Sequence, residues 1–119
     1  MTDSLKMVQI AYKALEEKKA EDITVIDISN ITSICDYFII TNGTSQPHLA
    51  SLIDEVSKEL EKAGYMSKTV EGGRSSTWTL LDYFDIVVHV FTKEDRDFYD
   101  LERIWRDGRF VSREEIFSN

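Results

Sequence analysis

EGGRSSTWTLLDYFDIVVHVFTKEDRDFYDLERIW, residues Glu71 to Trp105, packs two strand patterns, an acidic turn and an aromatic helix into one block. Residues 77–82 read as a strand in which Trp78 alternates with Thr77 and Thr79, so that one face is semi-polar. Asp82-Tyr83-Phe84-Asp85 interrupts it with two turn-forming carboxylates and predicts a hairpin. Residues 86–91 follow, apolar at both parities except for His89, which is the pattern of a central strand covered on both faces. From about Lys93 to Arg106 the spacing predicts a helix with Phe98, Leu101, Ile104 and Trp105 facing inward, closed by Asp107-Gly108.

Working upstream, residues 3–19 carry Leu5, Val8, Tyr12 and Leu15 along one helix face, with Asp3 or Thr2 as the cap. Residues 23–28 are β-branched and read as a strand, and residues 36–41 as a second. Asn42-Gly43-Thr44-Ser45 breaks that strand, Ser45 caps a helix, and Gly64 ends it. Residues 65–70 read as a third strand, which makes a strand–helix–strand unit expected to form a right-handed parallel crossover. The tail holds Ser112-Arg-Glu-Glu115, a capping box for one last turn. The expected architecture is α/β, one domain over residues 1–119, with a mixed five-stranded sheet packed with helices.

Composition narrows the function. A chain of 119 residues buries roughly 65% of its unfolded surface, enough for a core without staples. Its single cysteine, Cys35, excludes an intrachain disulfide and suits a reducing cytoplasm. The N-terminal residues carry no apolar run of signal-peptide length, and no segment is long enough to span a bilayer. The net charge of −8 disfavours nucleic acid as the main contact, because such binding draws on Lys and Arg neutralising phosphates. It favours docking on a basic protein surface.

Trp78-Thr-Leu-Leu-Asp82-Tyr83-Phe84-Asp85-Ile-Val-Val-His89-Val-Phe91 and Arg96-Asp-Phe98-Tyr99-Asp100-Leu101-Glu-Arg103-Ile104-Trp105 resemble the ribosomal silencing factor (Iojap) family. The resemblance continues in Asp36-Tyr-Phe-Ile-Ile-Thr-Asn-Gly43-Thr-Ser45 and in the leading helix, so it covers most of the chain. It implies a fold like that of the nucleotidyltransferases. It implies a repressor of translation, not an enzyme, that binds ribosomal protein fourteen of the large subunit and blocks entry of the small subunit by bulk. No cofactor or metal is expected. A homodimer of the free protein stays open.

Asn42-Gly43-Thr44-Ser45 has the place of a phosphate-binding loop at a helix N-terminus. A transferase also needs paired strand carboxylates for magnesium, and the one Asp-x-Asp, Asp95-Arg96-Asp97, opens a helix instead. A nucleotide-binding enzyme or sensor on that scaffold is the alternative function, and a generic dimeric interaction module a third. The loop of residues 72–76 reads as a turn or contact loop. His89 reads as a satisfied core histidine, His48 as a solvated one, and Cys35 as a small buried hydrophobe. The expected partner surface joins carboxylates of Glu71, Asp82 and Asp85 to aromatic area from Trp78, Tyr83 and Tyr99. Trp78 stands evenly between core and interface, while Trp105 is expected in the core.

Overall fold

The computed structural model describes residues 3–72 and 77–118. Two long helices, α1 (Ser4–Glu17) and α2 (Gln46–Lys62), lie over a six-stranded sheet. Its strands are β1 (Glu21–Asp27), β2 (Tyr37–Gly43), β3 (Thr69–Glu71), β4 (Trp78–Asp82), β5 (Ile86–Thr92) and β6 (Arg109–Val111), in the order β3-β4-β5-β2-β1-β6. The central pair, β2 and β5, is parallel, and every other neighbouring pair is antiparallel. The sheet is mixed, as expected, but it is open and has six strands, not five. Strand β6 is too short for alternation to betray it. Gly108 admits it: a Cβ there would stand 2.5 Å from Ile26 Cγ2.

β2 and β5 are covered on both faces. On the first face Val25, Ile39, Leu81, Val88 and Val90 pack with Val8, Leu15, Leu52, Val56 and Leu60 of α1 and α2. The second core is smaller: Ile26, Ile28, Cys35, Phe38, Ile40, Val87 and Phe91, flanked by Leu101 and Trp105. Each aliphatic side chain fully buried in this way contributes roughly 1.5–3 kcal/mol. Ser45 caps α2 by accepting the His48 N–H, and Gly64 ends the helix with φ +95°. Ser112 likewise caps the last turn, α5 (Arg113–Ile116), by accepting the Glu115 N–H.

Two expectations about connection need correction. The third strand is only Thr69–Glu71, and although it runs parallel to β2 it lies at the sheet edge with β5 and β4 in between. The helix expected over residues 93–106 is two: α3 (Lys93–Tyr99) and α4 (Leu101–Ile104). Asp100 breaks them by adopting φ 50°, ψ 55°, a left-handed conformation that Asp tolerates better than most residues. Leu101 and Trp105 do pack on the second core. Phe98 and Ile104 do not face inward: they are 79% and 66% exposed.

Arg96 is the reason. It is the buried side chain of α3, and it caps an irregularity in β1, where the register with β2 shifts between Glu21 and Thr24 and Asp22 has φ 46°. Its Nη1 donates to the Asp22 carbonyl at 2.6 Å and to Asn42 Oδ1 at 2.9 Å. Its Nη2 donates to Thr24 Oγ1 at 3.0 Å and to Glu102 Oε2 at 2.6 Å. The bulge takes the Asp22 carbonyl out of the strand ladder, and Arg96 supplies its donor. Turning Arg96 inward brings Tyr99, one turn on, over the sheet and puts Phe98 outside.

Candidate partner-binding surface

β4 separates two sets of side chains by parity. Thr79 and Leu81 are buried on the first face, while Trp78, Leu80 and Asp82 are half-buried on the second. α3 and α4 do not close the second face over this edge of the sheet. Glu71 of β3 pairs with Leu80 and extends the same face with an exposed carboxylate.

Trp78 is the centre of the open region. Its indole stacks on Phe91 at 5.0 Å and lies 4.7 Å from the ring of Tyr99, which is 40% exposed. Phe98 meets Tyr99 edge-on at 5.1 Å and carries the apolar surface outward. Thr77 donates its hydroxyl to Asp95 and so ties the start of β4 to the first turn of α3. Beneath the indole, Trp78 Nε1 donates to His89 Nδ1 at 3.2 Å. His89 is 4% exposed, and burial lowers its pKa to about 4. The expectation of a satisfied core histidine is half met: Nε2 has no partner among the described residues. An unpaired buried donor costs roughly 1–3 kcal/mol.

The hairpin forms, with Tyr83 N–H donating to the Ile86 carbonyl at 2.9 Å. Asp82 Oδ1 accepts the Phe84 N–H at 2.9 Å, which is turn chemistry, and Phe84 takes φ 71°. Tyr83 requires correction: it is 3% exposed in the first core and offers no anchoring area. Phe84 is the exposed aromatic of the tip, at 59%, with Lys68 Nζ 5.9 Å from its ring centre. Of the two adjacent rings in this turn one is buried and the other exposed, and the sequence does not say which. Asp85 is exposed, and its carbonyl accepts the Asp36 N–H at 2.8 Å. The structure therefore brings Glu71, Trp78, Asp82 and Tyr99 onto one face, with Asp85 at its end. Phe98 extends this face through its contact with Tyr99, and Phe84 is exposed at the hairpin tip; the sequence reading assigned neither to the surface.

The other motifs resolve into structural roles. At the β2–α2 corner the Thr44 N–H donates to His48 Nδ1 at 2.9 Å, so Nε2 carries the ring hydrogen and donates to the Lys18 carbonyl at 2.7 Å. His48 is thus a partly buried bridge to the end of α1, not a solvated side chain. A Cβ on Gly43 would stand 2.9 Å from Leu49 Cδ1 and 3.0 Å from His48 Nδ1, so close packing accounts for that glycine. Asp97 pairs with Lys93, and Asp95 accepts from Thr77, with Arg96 buried between them. Among the described residues no three His, Cys, Asp or Glu side chains group as a metal site. Cys35 is buried, and desolvation raises its thiol pKa to about 12. Residues 73–76 of the glycine loop lie outside the described residues.

The face joins the rings of Trp78, Phe91 and Tyr99 to the carboxylates of Glu71 and Asp82, and no three metal-ligating side chains group among the described residues. The sequence profile of the family described as ribosomal silencing factor during starvation matches residues 1–118. The chain belongs to that family. It is 34% identical over 113 residues to the ribosomal silencing factor RsfS of Halalkalibacterium halodurans, covering 95% of this chain and 97% of the relative. It is similar to a crystal structure of a Chromobacterium violaceum protein, with TM-score 0.85 and 34% identity, covering 93% of this chain and 92% of that one. A mouse protein named for mitochondrial assembly of the ribosomal large subunit is 29% identical over 101 residues, 82% of this chain and 44% of the mouse protein. No described helix is long and apolar enough to cross a membrane.

Proposed function

We propose that the chain lowers translation in the cytoplasm by binding the large ribosomal subunit through its protein fourteen and blocking entry of the small subunit. The 119 residues act as one silencing-factor domain. The observation that carries the reading is the joint face of Glu71, Trp78, Asp82 and Tyr99, with Phe84 and Asp85 at the hairpin tip. It offers a basic partner both anchoring rings and carboxylates. Family membership supports ribosome silencing, and the mouse relative's name supports the choice of subunit. The scaffold is then nucleotidyltransferase-like without transferase chemistry.

The test is sedimentation with purified large subunits, with and without small subunits. The protein should travel with free large subunits and lower the fraction of joined ribosomes. Equal association with joined ribosomes, and unchanged joining, would sink occlusion. The enzyme alternative is tested by calorimetric titration with nucleoside triphosphates and magnesium. No binding tighter than roughly millimolar is expected, since His48 already occupies the Thr44 N–H that a phosphate would need.

A further inference from the structure

We infer that His89 is the positioning residue of the contact face: its Nδ1 accepts the Trp78 indole N–H and holds the ring in the orientation a partner meets. The inference rests on Trp78 being an anchor. An indole nitrogen can only donate, so at 3.2 Å the histidine nitrogen facing it is bare and the ring hydrogen sits on Nε2. That Nε2 finds no acceptor among the described residues.

His89 thus brings a polar ring into the middle of β5, between the fully buried Val88 and Val90, and leaves one of its nitrogens unpaired. Folding alone would favour an apolar side chain there. What the imidazole supplies is an acceptor under a half-open tryptophan. The rings around it complete the seat. Phe38 meets the imidazole edge-on at 4.9 Å, and Phe91 lies parallel to it at 6.3 Å while also stacking under Trp78. Stacking alone leaves the indole free to turn over, N–H outward to water. The hydrogen bond removes that choice before the partner arrives, which is how preorganisation raises affinity without adding a contact.

The first readout uses the unaltered protein. Long-range proton–nitrogen NMR at pH 7 should show His89, assigned by its loss in His89→Asn, as the Nε2–H tautomer with Nδ1 bare. A proton on Nδ1 overturns the inference. The second readout compares His89→Leu, which has no acceptor, with His89→Asn, whose carbonyl reaches the Nδ1 position. His89→Leu should melt at or near the parent temperature, shift the Trp78 indole resonance, and bind purified large subunits about tenfold more weakly, the loss of one buried hydrogen bond. His89→Asn should restore both indole shift and affinity. Where His89→Leu does not fold, His89→Met takes its place. Parent-like binding by the leucine variant, with Trp78→Ala weakened, overturns the role of His89 and leaves the anchor standing. Parent-like binding by both removes the anchor and the inference together. An asparagine variant that folds but binds as weakly as the leucine variant also overturns it.

Discussion

Arg96 in α3 donates to the main-chain carbonyl of Asp22, 74 residues earlier, at 2.6 Å. The bond joins a helix on the second face to a bulge in β1, and with Glu102 it fixes the break between α3 and α4. Arg96→Ala leaves the Asp22 carbonyl and the Glu102 carboxylate without their donor. It should cost about 3 kcal/mol of stability. Arg96→Lys should recover less than half, because an ammonium cannot serve acceptors on both sides of a planar fork. Urea titration of the three proteins checks this, and equal midpoints for the lysine variant and parent would contradict it.

The Trp78→Ala variant separates packing from recognition. The ring is half-buried, so its removal should cost roughly 2 kcal/mol of folding stability, below the 3–5 of a fully buried aromatic. It should cost about as much again in binding. Paired melting and affinity measurements decide, and an unchanged affinity would return Trp78 to the core.

Charge reversal at the hairpin tip should act through association. Asp85→Lys is the cleaner change, because the Asp82 carboxylate also accepts the Phe84 N–H. Asp85→Lys should melt with the parent, and Asp82→Lys about 1 kcal/mol lower. Both should slow association with the isolated ribosomal protein, most at low salt. Parent-like rates would move the contact away from this hairpin.

Acid should weaken the fold earlier than carboxylates alone require. His89 titrates near its ordinary value of 6.5 when unfolded and at about 4 when folded. Between those values the unfolded chain binds more protons, so stability falls as pH falls from 6.5 to 4. The whole window is worth roughly 3 kcal/mol. Chemical denaturation at half-unit pH steps should show that slope in the parent and lose it in His89→Leu. A parent that is flat over this window would mean a normal His89.

Legibility followed the range of the interactions. The Ser45 cap, the Gly64 stop, the two-faced burial of β5 and the 82–85 turn are decided within a few residues, and the sequence shows them. The inward stripe of α3 is not local. Spacing selects Phe98, yet Arg96 is drawn inward by a bulge on β1, and the helix turns with it. A hint was present, an arginine set between two aspartates in a first helical turn, but nothing nearby names the acceptors. The choice between Tyr83 and Phe84 depends on the left-handed turn at Phe84. Of the residues expected at the surface, Glu71, Asp85 and Tyr99 are exposed, Trp78 and Asp82 half-buried, and Tyr83 buried.

The parity of β4 has a consequence for how the chain tolerates change. Trp78, Leu80 and Asp82 look outward while Thr79 and Leu81 look into the first core, in strict alternation. A point substitution can therefore alter one set and spare the other. Losing or gaining a single residue between Thr77 and Asp82 is different. It would turn over the part of β4 on one side of the change, driving a second-face side chain into the first core and bringing a first-core side chain out. A deletion in β4 thus reaches both faces of the sheet, which a single side-chain replacement does not.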